Sequence, residues 1–184
     1  MSEAASGVYM ARHGQTPYNA EGRFQGQGAV PLNDTGRAQA LELAQRTDGY
    51  GFVRLWCSPL RRARETADIV AARLGLEPRE DPRLMETETG EWTDRSFAEI
   101  SSVAPDAFAA FVAGEADFAF PGGESFAEQS VRVAAALEDI ERTELPALVV
   151  CHRQVIRLAI RQRGQALSAN EHVDNGALIA LPSR

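Results

Sequence analysis

Short apolar runs at Val8-Tyr9-Met10-Ala11, Val53-Arg54-Leu55-Trp56-Cys57 and Ala147-Leu148-Val149-Val150-Cys151 alternate with stretches of helical periodicity, and this alternation constrains the fold more than any other feature. Runs of four or five residues this rich in apolar side chains read as strands buried on both faces. Strands that alternate with helices imply a three-layer α/β architecture, a mostly parallel or mixed central sheet with helices on both faces. After the strand at 8–11, a long loop runs to about Asn33, followed by a helix from about Thr35 to Arg46. Ala38, Leu41, Leu43 and Ala44 give this helix an apolar side, and Asn33, Asp34 or Thr35 can cap it. The strand 53–57 leads through Ser58-Pro59, with Pro59 suited to a first helical turn, into a helix reaching about Leu74. Its expected buried side is Ala67, Ile69, Val70 and Leu74, and a short connection follows around Glu77 to Arg79. From Phe97 to Gly114 the chain reads as two small helices interrupted at Pro105, part of an insertion over about 96–125 that lies above the crevice. A helix at 125–143, the strand 147–151, a helix at 154–163 and a last strand at 177–181 complete the pattern. With 184 residues, 44% of them hydrophobic, residues 1–184 are expected to form a single domain.

The formal net charge of -7 argues against a nucleic-acid surface and against a polybasic membrane patch. Any anion site must then be a local cationic pocket, and the expected partner is a small molecule, with no nucleic acid and no membrane. Met1 to Gly7 has neither a cationic start nor an apolar stretch of signal-peptide length, and no run approaches the ~20 apolar residues of a membrane span. A cytoplasmic protein is the expectation. Cys57 and Cys151 both end apolar runs, the usual place of buried reduced thiols, and their spacing makes neither a disulfide framework nor a metal cluster. The apolar segment Val173 to Leu181 offers an exposed edge through which a homodimer would pair.

Open α/β sheets bind ligands beyond the carboxyl ends of their strands. Arg12-His13-Gly14 follows the first strand, Arg62 lies one turn into the helix after the second, and His152 follows the strand 147–151. Gly14 allows a sharp turn that would project Arg12 and His13 into the crevice. Of three histidines, two stand at strand exits, whereas His172 falls where a surface helix or loop is expected. Two guanidiniums and an imidazole around one tetrahedral anion suit phosphoryl transfer, which needs positioning and charge stabilisation more than covalent chemistry. Arginine serves because its planar fork binds phosphate oxygens bidentately. The neutral imidazole of His13 is the candidate nucleophile, forming a phosphohistidine that water then hydrolyses. The leaving oxygen needs a proton, which a carboxylic acid of raised pKa can give, and Glu86 is the candidate, with Glu88 and Glu91 as rivals. Arg62 competes with Arg61 and Arg64, since a basic helix face is commonly just solvated, and His152 also reads as a core histidine bonded to a backbone carbonyl. Asn19, Gln25 and Gly26 either bind substrate or hold the loop, and Glu124 is either a helix-start acid or a ligand.

The stretch Arg12-His13-Gly14-Gln15-Thr16, continuing through Asn19, Glu21-Gly22-Arg23-Phe24-Gln25-Gly26 and Pro31-Leu32-Asn33-Asp34-Thr35-Gly36, resembles the histidine phosphatase superfamily, whose members include phosphoglycerate mutases. Ser58 to Ala67, Leu84-Met85-Glu86 with Gly90-Glu91-Trp92, Pro121 to Ser125, and Val149-Val150-Cys151-His152 are similar to four further blocks of that family, in its order. The resemblance implies a phosphoglycerate mutase-like fold and a metal-independent phosphomonoester hydrolase without cofactor, acting through a phosphohistidine on a small phosphorylated metabolite. It places Arg62 at the family's phosphate ligand and favours Glu86 by its spacing after Leu84. Two departures stand out. Arg153 and Gln154 follow the second histidine where most members have glycine, a substitution that also resembles the fructose-bisphosphatase branch, and Arg153 either holds a second acidic group or points out from a helix start. Thr93-Asp94 replaces the usual Glu-Gly after the tryptophan, which puts the contacts of that loop in doubt. Cofactor-dependent phosphoglycerate mutases generally carry longer insertions, so hydrolysis leads, mutase activity is the alternative, and a non-catalytic phosphate- or partner-binding module is third. No metal site is implied: nothing resembles a carboxylate-rich magnesium cluster.

Overall fold

A computed structural model describes residues 7–165 and 173–183. The remaining residues, His172 and nearly all of the segment Met1 to Gly7 among them, lie outside that description. Five strands, β1 (Val8–Arg12), β2 (Arg54–Cys57), β3 (Pro78–Glu80), β4 (Ala147–Cys151) and β5 (Leu178–Ala180), form one sheet in the order β3-β2-β4-β1-β5. All neighbours are parallel except β5, which runs antiparallel to β1 at the sheet's edge. The mixed α/β fold expected from the alternation is therefore present.

Side chains of β1 and β4 divide between the two faces with the two-residue period of a strand. Val8, Met10, Ala147, Val149 and Cys151 pack against α6 (Phe126–Glu141) and α7 (Arg153–Gln162). Ala11, Leu148 and Val150 face α2 (Asp34–Arg46) and α3 (Arg61–Leu74). Both layers are consequently covered, and the strands' carboxyl ends are left as the open rim. A third, aromatic cluster of Phe24, Trp92, Phe118, Phe120 and Phe126 underlies α4 (Phe97–Val103) and α5 (Pro105–Ala113), the two helices of the insertion. Pro105 starts α5, as its missing N–H permits, and Gly114 ends it in the left-handed conformation at φ 66°.

Several local expectations are corrected. The long loop before Asn33 contains a short helix, α1 (Pro17–Glu21), closed by a reciprocal capping box between Thr16 and Asn19. The connection at Glu77 to Arg79 holds β3, an edge strand with no large apolar side chain to announce it. Asn33 is the cap of α2, accepting from Gly36 N–H at 2.8 Å. Gly36, Ala40, Leu43 and Ala44 form the buried side of α2, while Ala38 and Leu41 face outward. Pro59 precedes α3 rather than opening it, and Arg62 is the second residue of that helix rather than a turn inside it. Ala63, Ala67, Val70 and Ala71 pack inward, with Ile69 and Leu74 only half-buried. Ser125 and Glu128 make the capping box of α6, so Glu124 is not its cap. Gly14 is not at positive φ; a Cβ there would collide with the backbone of Gly36, so glycine is needed for close approach and not for the turn.

Candidate active site

Register carries three strand exits to one place. Parallel pairing of β1 and β2 with β4 continues one step beyond the strands: His13 N–H donates to Cys151 O at 3.0 Å and Ser58 N–H to Val150 O at 3.0 Å. His13, Ser58 and His152 are thereby neighbours, and the rings of the two histidines lie 5.1 Å apart between centroids. Above them opens a cavity of about 550 Å³ whose wall includes Arg12, His13, Arg62 and Glu86. Asn19, Gln25, Gly26 and Arg153 line it too, so all the proposed site residues except His152 reach its wall. His152 is fully buried beside the His13 ring.

The hydrogen bonds fix how each ring presents itself. His13 Nδ1 lies 2.7 Å from the carbonyl oxygen of Gly14, which can only accept, so Nδ1 carries the hydrogen and Nε2 keeps its lone pair. His152 Nε2 is 2.8 Å from Ser58 Oγ, not bonded to a backbone carbonyl, and Ser58 Oγ already accepts from Leu60 N–H at 3.2 Å. The other ring nitrogen of His152, Nδ1, is buried and without a partner among the described residues. Burial, then the charges of Arg62 and Arg12, hold His13 well below the usual imidazole range. His152 is lowered well below it as well, by burial first and then by Arg62, His13 and Arg12. Both rings are therefore neutral near neutral pH.

Arg12 donates to Val173 O at 2.7 Å, and Arg62 donates to Gly28 O at 3.0 Å and Gly26 O at 2.8 Å. The Nε of each is buried without a partner among the described residues. Burial, followed by repulsion from Arg153 and offset by Glu86, lowers Arg12 to about 10; burial lowers Arg62 to about 10 against the pull of Glu86. Both remain cations. Their rivals are turned away: Arg61 pairs with Glu65, and Arg64 with Asp68 and Glu80. Gly26 sits at φ 49°, and a Cβ there would come 2.5 Å from Thr89 Oγ1, so the loop that holds Arg62 depends on a glycine.

Of the three acids near Leu84, only Glu86 lines the cavity. Its carboxylate accepts from Thr87 N–H at 3.0 Å, Gln129 Nε2 at 3.3 Å and Gln154 N–H at 3.4 Å. Its carbonyl accepts from Arg132 at 3.1 Å, and Arg132 is paired with Glu124 at 2.6 Å. Glu124 thus acts on the loop of Glu86 from outside the cavity. Asn19 accepts from Thr16 N–H at 3.1 Å, in the capping box of α1, and from Asn175 Nδ2 at 3.2 Å, while Gln25 accepts from Thr16 Oγ1 at 2.9 Å. These residues hold the loop and line the cavity at once. Asp94, standing where the family has glycine, takes the left-handed conformation at φ 67°, which aspartate tolerates better than most residues, and accepts from Tyr18 Oη at 2.7 Å. Tyr18, Arg157 and Asn175, absent from the candidates read in the sequence, also reach the wall, as do Arg23 and Gln154, which were read there only as parts of motif blocks. Among them only Arg157 carries a readable signal, its spacing of four from Arg153 on one helix. Cys57 and Cys151 are buried free thiols, that of Cys57 pushed up to about 12 by burial, which makes neither a nucleophile.

The model of the histidine phosphatase superfamily, branch 1, matches residues 8–181. The chain belongs to this superfamily. A probable phosphoglycerate mutase of Enterobacter sp. (strain 638) is 39% identical over 132 residues, covering 72% of this chain and 61% of that protein. The chain thus spans about three-fifths of that relative's length. A mycobacterial glucosyl-3-phosphoglycerate phosphatase, solved with VO3, superposes with a TM-score of 0.79 at 34% identity over 84% of this chain and 79% of its own. A phosphoglycerate mutase from Thermus thermophilus gives a TM-score of 0.76 at 30% identity over 93% and 90%. This member of the superfamily therefore shares its fold with proteins named as a phosphatase and as a phosphoglycerate mutase. Among its described residues, no helix is long and apolar enough to cross a membrane.

Proposed function

We propose that this histidine phosphatase hydrolyses a small phosphomonoester through a phosphohistidine at His13. The observation that carries the reading is the tautomer of His13: Nδ1–H is engaged by Gly14 O, so Nε2 offers a lone pair to the cavity between two guanidiniums. The phosphoryl group sits between Arg12 and Arg62, whose N–H groups take its oxygens and the charge that grows on them, while the buried His152 ring supports His13 from below the cavity. Nε2 attacks phosphorus in line, a P–N bond forms, and the P–O bond to the leaving group breaks. Glu86 gives its proton to the leaving oxygen. In the second half it takes a proton from water, whose oxygen attacks phosphorus; the P–N bond breaks, phosphate leaves, and His13 and Glu86 return to their first states. No step requires a metal or a cofactor. The protein acts as a single domain in the cytoplasm, with a homodimer through β5 as its assembly.

Mutase activity is the second reading, favoured by the names of the Enterobacter and Thermus relatives. It differs only in the acceptor, a second phosphoglycerate replacing water. The test is phosphate release from a panel of phosphomonoesters, with and without chelator, by the protein and its His13→Ala variant. Release that resists chelation and vanishes in the variant is expected. Phosphoryl exchange between phosphoglycerates without net release would replace hydrolysis by the mutase reaction, and silence in both assays would leave a binding module.

A further inference from the structure

A general acid has to be held at its carboxyl as well as at its backbone, because a proton is given only within hydrogen-bond reach of the leaving oxygen and a free glutamate side chain samples several rotamers. Arg132, paired with Glu124, holds the backbone around Glu86 through the carbonyls of Arg83, Met85 and Glu86. The carboxyl itself is reached by a side chain from α6. Gln129 is fully buried, and its Nε2 donates to Met85 O at 3.5 Å and to Glu86 Oε1 at 3.3 Å. Its Oε1 accepts from the hydroxyl of Thr87, which is buried as well. The opposite orientation of the amide would turn its oxygen toward a carbonyl and a carboxyl oxygen, so Nε2 is the atom that faces Glu86.

This amide is out of keeping with its helix. The other buried residues of α6, Phe126, Val133, Ala136, Leu137 and Ile140, are all apolar, and packing alone would be served by one more such side chain. A buried amide is stable only when hydrogen-bonded, and Gln129 directs both its N–H groups and its oxygen to the loop Met85 to Thr87. The two carboxyl oxygens of Glu86 are consequently unlike. Oε1 accepts from Thr87 N–H at 3.0 Å and from Gln129, whereas Oε2 accepts, among the described residues, from Gln154 N–H alone, at 3.4 Å. With two donors aimed at Oε1, a proton on this carboxyl belongs on Oε2. Arg12 and Arg62, which line the same cavity, and the Cys151 thiol at the end of β4 also act with Glu86 through their charge.

We propose that Gln129 is a positioning residue for the general acid, fixing Glu86 through Oε1 so that Oε2 carries the proton and gives it to the leaving oxygen. As that oxygen's bond to phosphorus breaks, the proton passes to it and Glu86 is left a carboxylate, to which the hydrogen bond from Gln129 becomes charge-assisted and stronger. The catalytic consequence rests on the hydrolysis reading; the contact does not. The test compares kcat/KM for phenyl phosphate, whose basic leaving oxygen needs the proton, with that for 2,4-dinitrophenyl phosphate, whose leaving oxygen does not. Gln129→Met, close in shape but without the amide, is expected to lose at least about tenfold on phenyl phosphate and less than about threefold on the dinitrophenyl ester. Glu86→Gln should show the same selectivity, and adding Gln129→Met to it should lower turnover of phenyl phosphate no further. Equal losses on the two esters, or losses that multiply in the double variant, would make Gln129 a packing residue and overturn the proposal. A carbon-13 titration of the Glu86 carboxyl reads the contact without turnover. Its midpoint should rise in Gln129→Met, which removes a donor to the carboxylate, and rise further in Gln129→Glu, which sets a second carboxyl beside it. Midpoints unmoved in both variants would also overturn the proposal. If the unaltered protein hydrolyses neither ester while the midpoints shift as expected, the hydrolysis reading fails alone and the positioning contact stands. Circular dichroism melts check folding, and should Gln129→Met not fold, Thr87→Val, which removes the hydroxyl that orients the amide, takes its place with the same expected selectivity.

Discussion

Burial and the charges of Arg62 and Arg12 keep His13 uncharged well into the acid range, and His152 shares that environment. On the proposed mechanism, the nucleophile is then not lost as pH falls through the ordinary histidine value of about 6.5. Phosphoenzyme formation should accordingly hold its rate across that value, which rapid-quench kinetics on a pH series would show. For stability the sign is opposite. Below about 6.5 the unfolded chain takes up protons on these two positions while the folded protein does not, so stability present above that pH is lost as pH falls toward the lowered folded values. Each histidine contributes a slope of about 1.4 kcal/mol per pH unit in that window. Denaturant melts of the protein and of His152→Gln on a pH series check it: the variant should lose stability less steeply on acidification, and equal slopes would contradict the burial of His152. Both positions were legible as strand exits, as were Arg12, Arg62 and Glu86. The rings' hydrogen bonds were not, since they run to Gly14 O and to Ser58, a partner 94 residues from His152.

At the level of elements, what was legible followed apolar pattern, and what was not followed from contacts between distant segments. β1, β2, β4 and the helices α2, α3, α6 and α7 announced themselves because each buries a periodic set of side chains. β3 did not, since Pro-Arg-Glu has no apolar period and forms a strand only because β2 offers a free edge. α1 buries none of its residues and exists through its Thr16–Asn19 cap. Leu41 and Ala38 were assigned inward by hydrophobicity alone, but close packing of Gly36 against the strand-exit loop rotates α2 so that Ala40, Leu43 and Ala44 face the sheet. A Cβ on Gly36 would collide with the backbone of Gln15, two residues after His13. Gly36→Ala should cost about 1–3 kcal/mol in chemical denaturation and lower turnover by displacing His13. Unchanged stability would show that the two backbones are not held in contact.

Across the whole molecule, an acidic chain brings several arginines that have no ion-pair partner among the described residues to one cavity. The net charge of -7 is met by Arg12, Arg62, Arg153 and Arg157 on a single wall system, roofed by the aromatic insertion. Composition argued against extended polyanion partners but said nothing of this local reversal of charge, which arises when β1, α3 and α7 converge on the sheet's rim. The insertion was visible in outline, from Pro105 and the two short helical stretches. Its role as the apolar side of the cavity was not, because Phe24 joins it from a distant part of the chain, packing against Phe120. On the proposed mechanism, all of this geometry serves one covalent event at one atom. Mixing the protein with p-nitrophenyl phosphate, quenching in base, where phosphohistidine survives, and mapping bound phosphoryl by mass spectrometry tests that event directly. The account predicts phosphoryl on His13, acid-labile and absent from His13→Ala. Phosphate release with no protein-bound phosphoryl group, or a phosphoryl group on another residue, would contradict it.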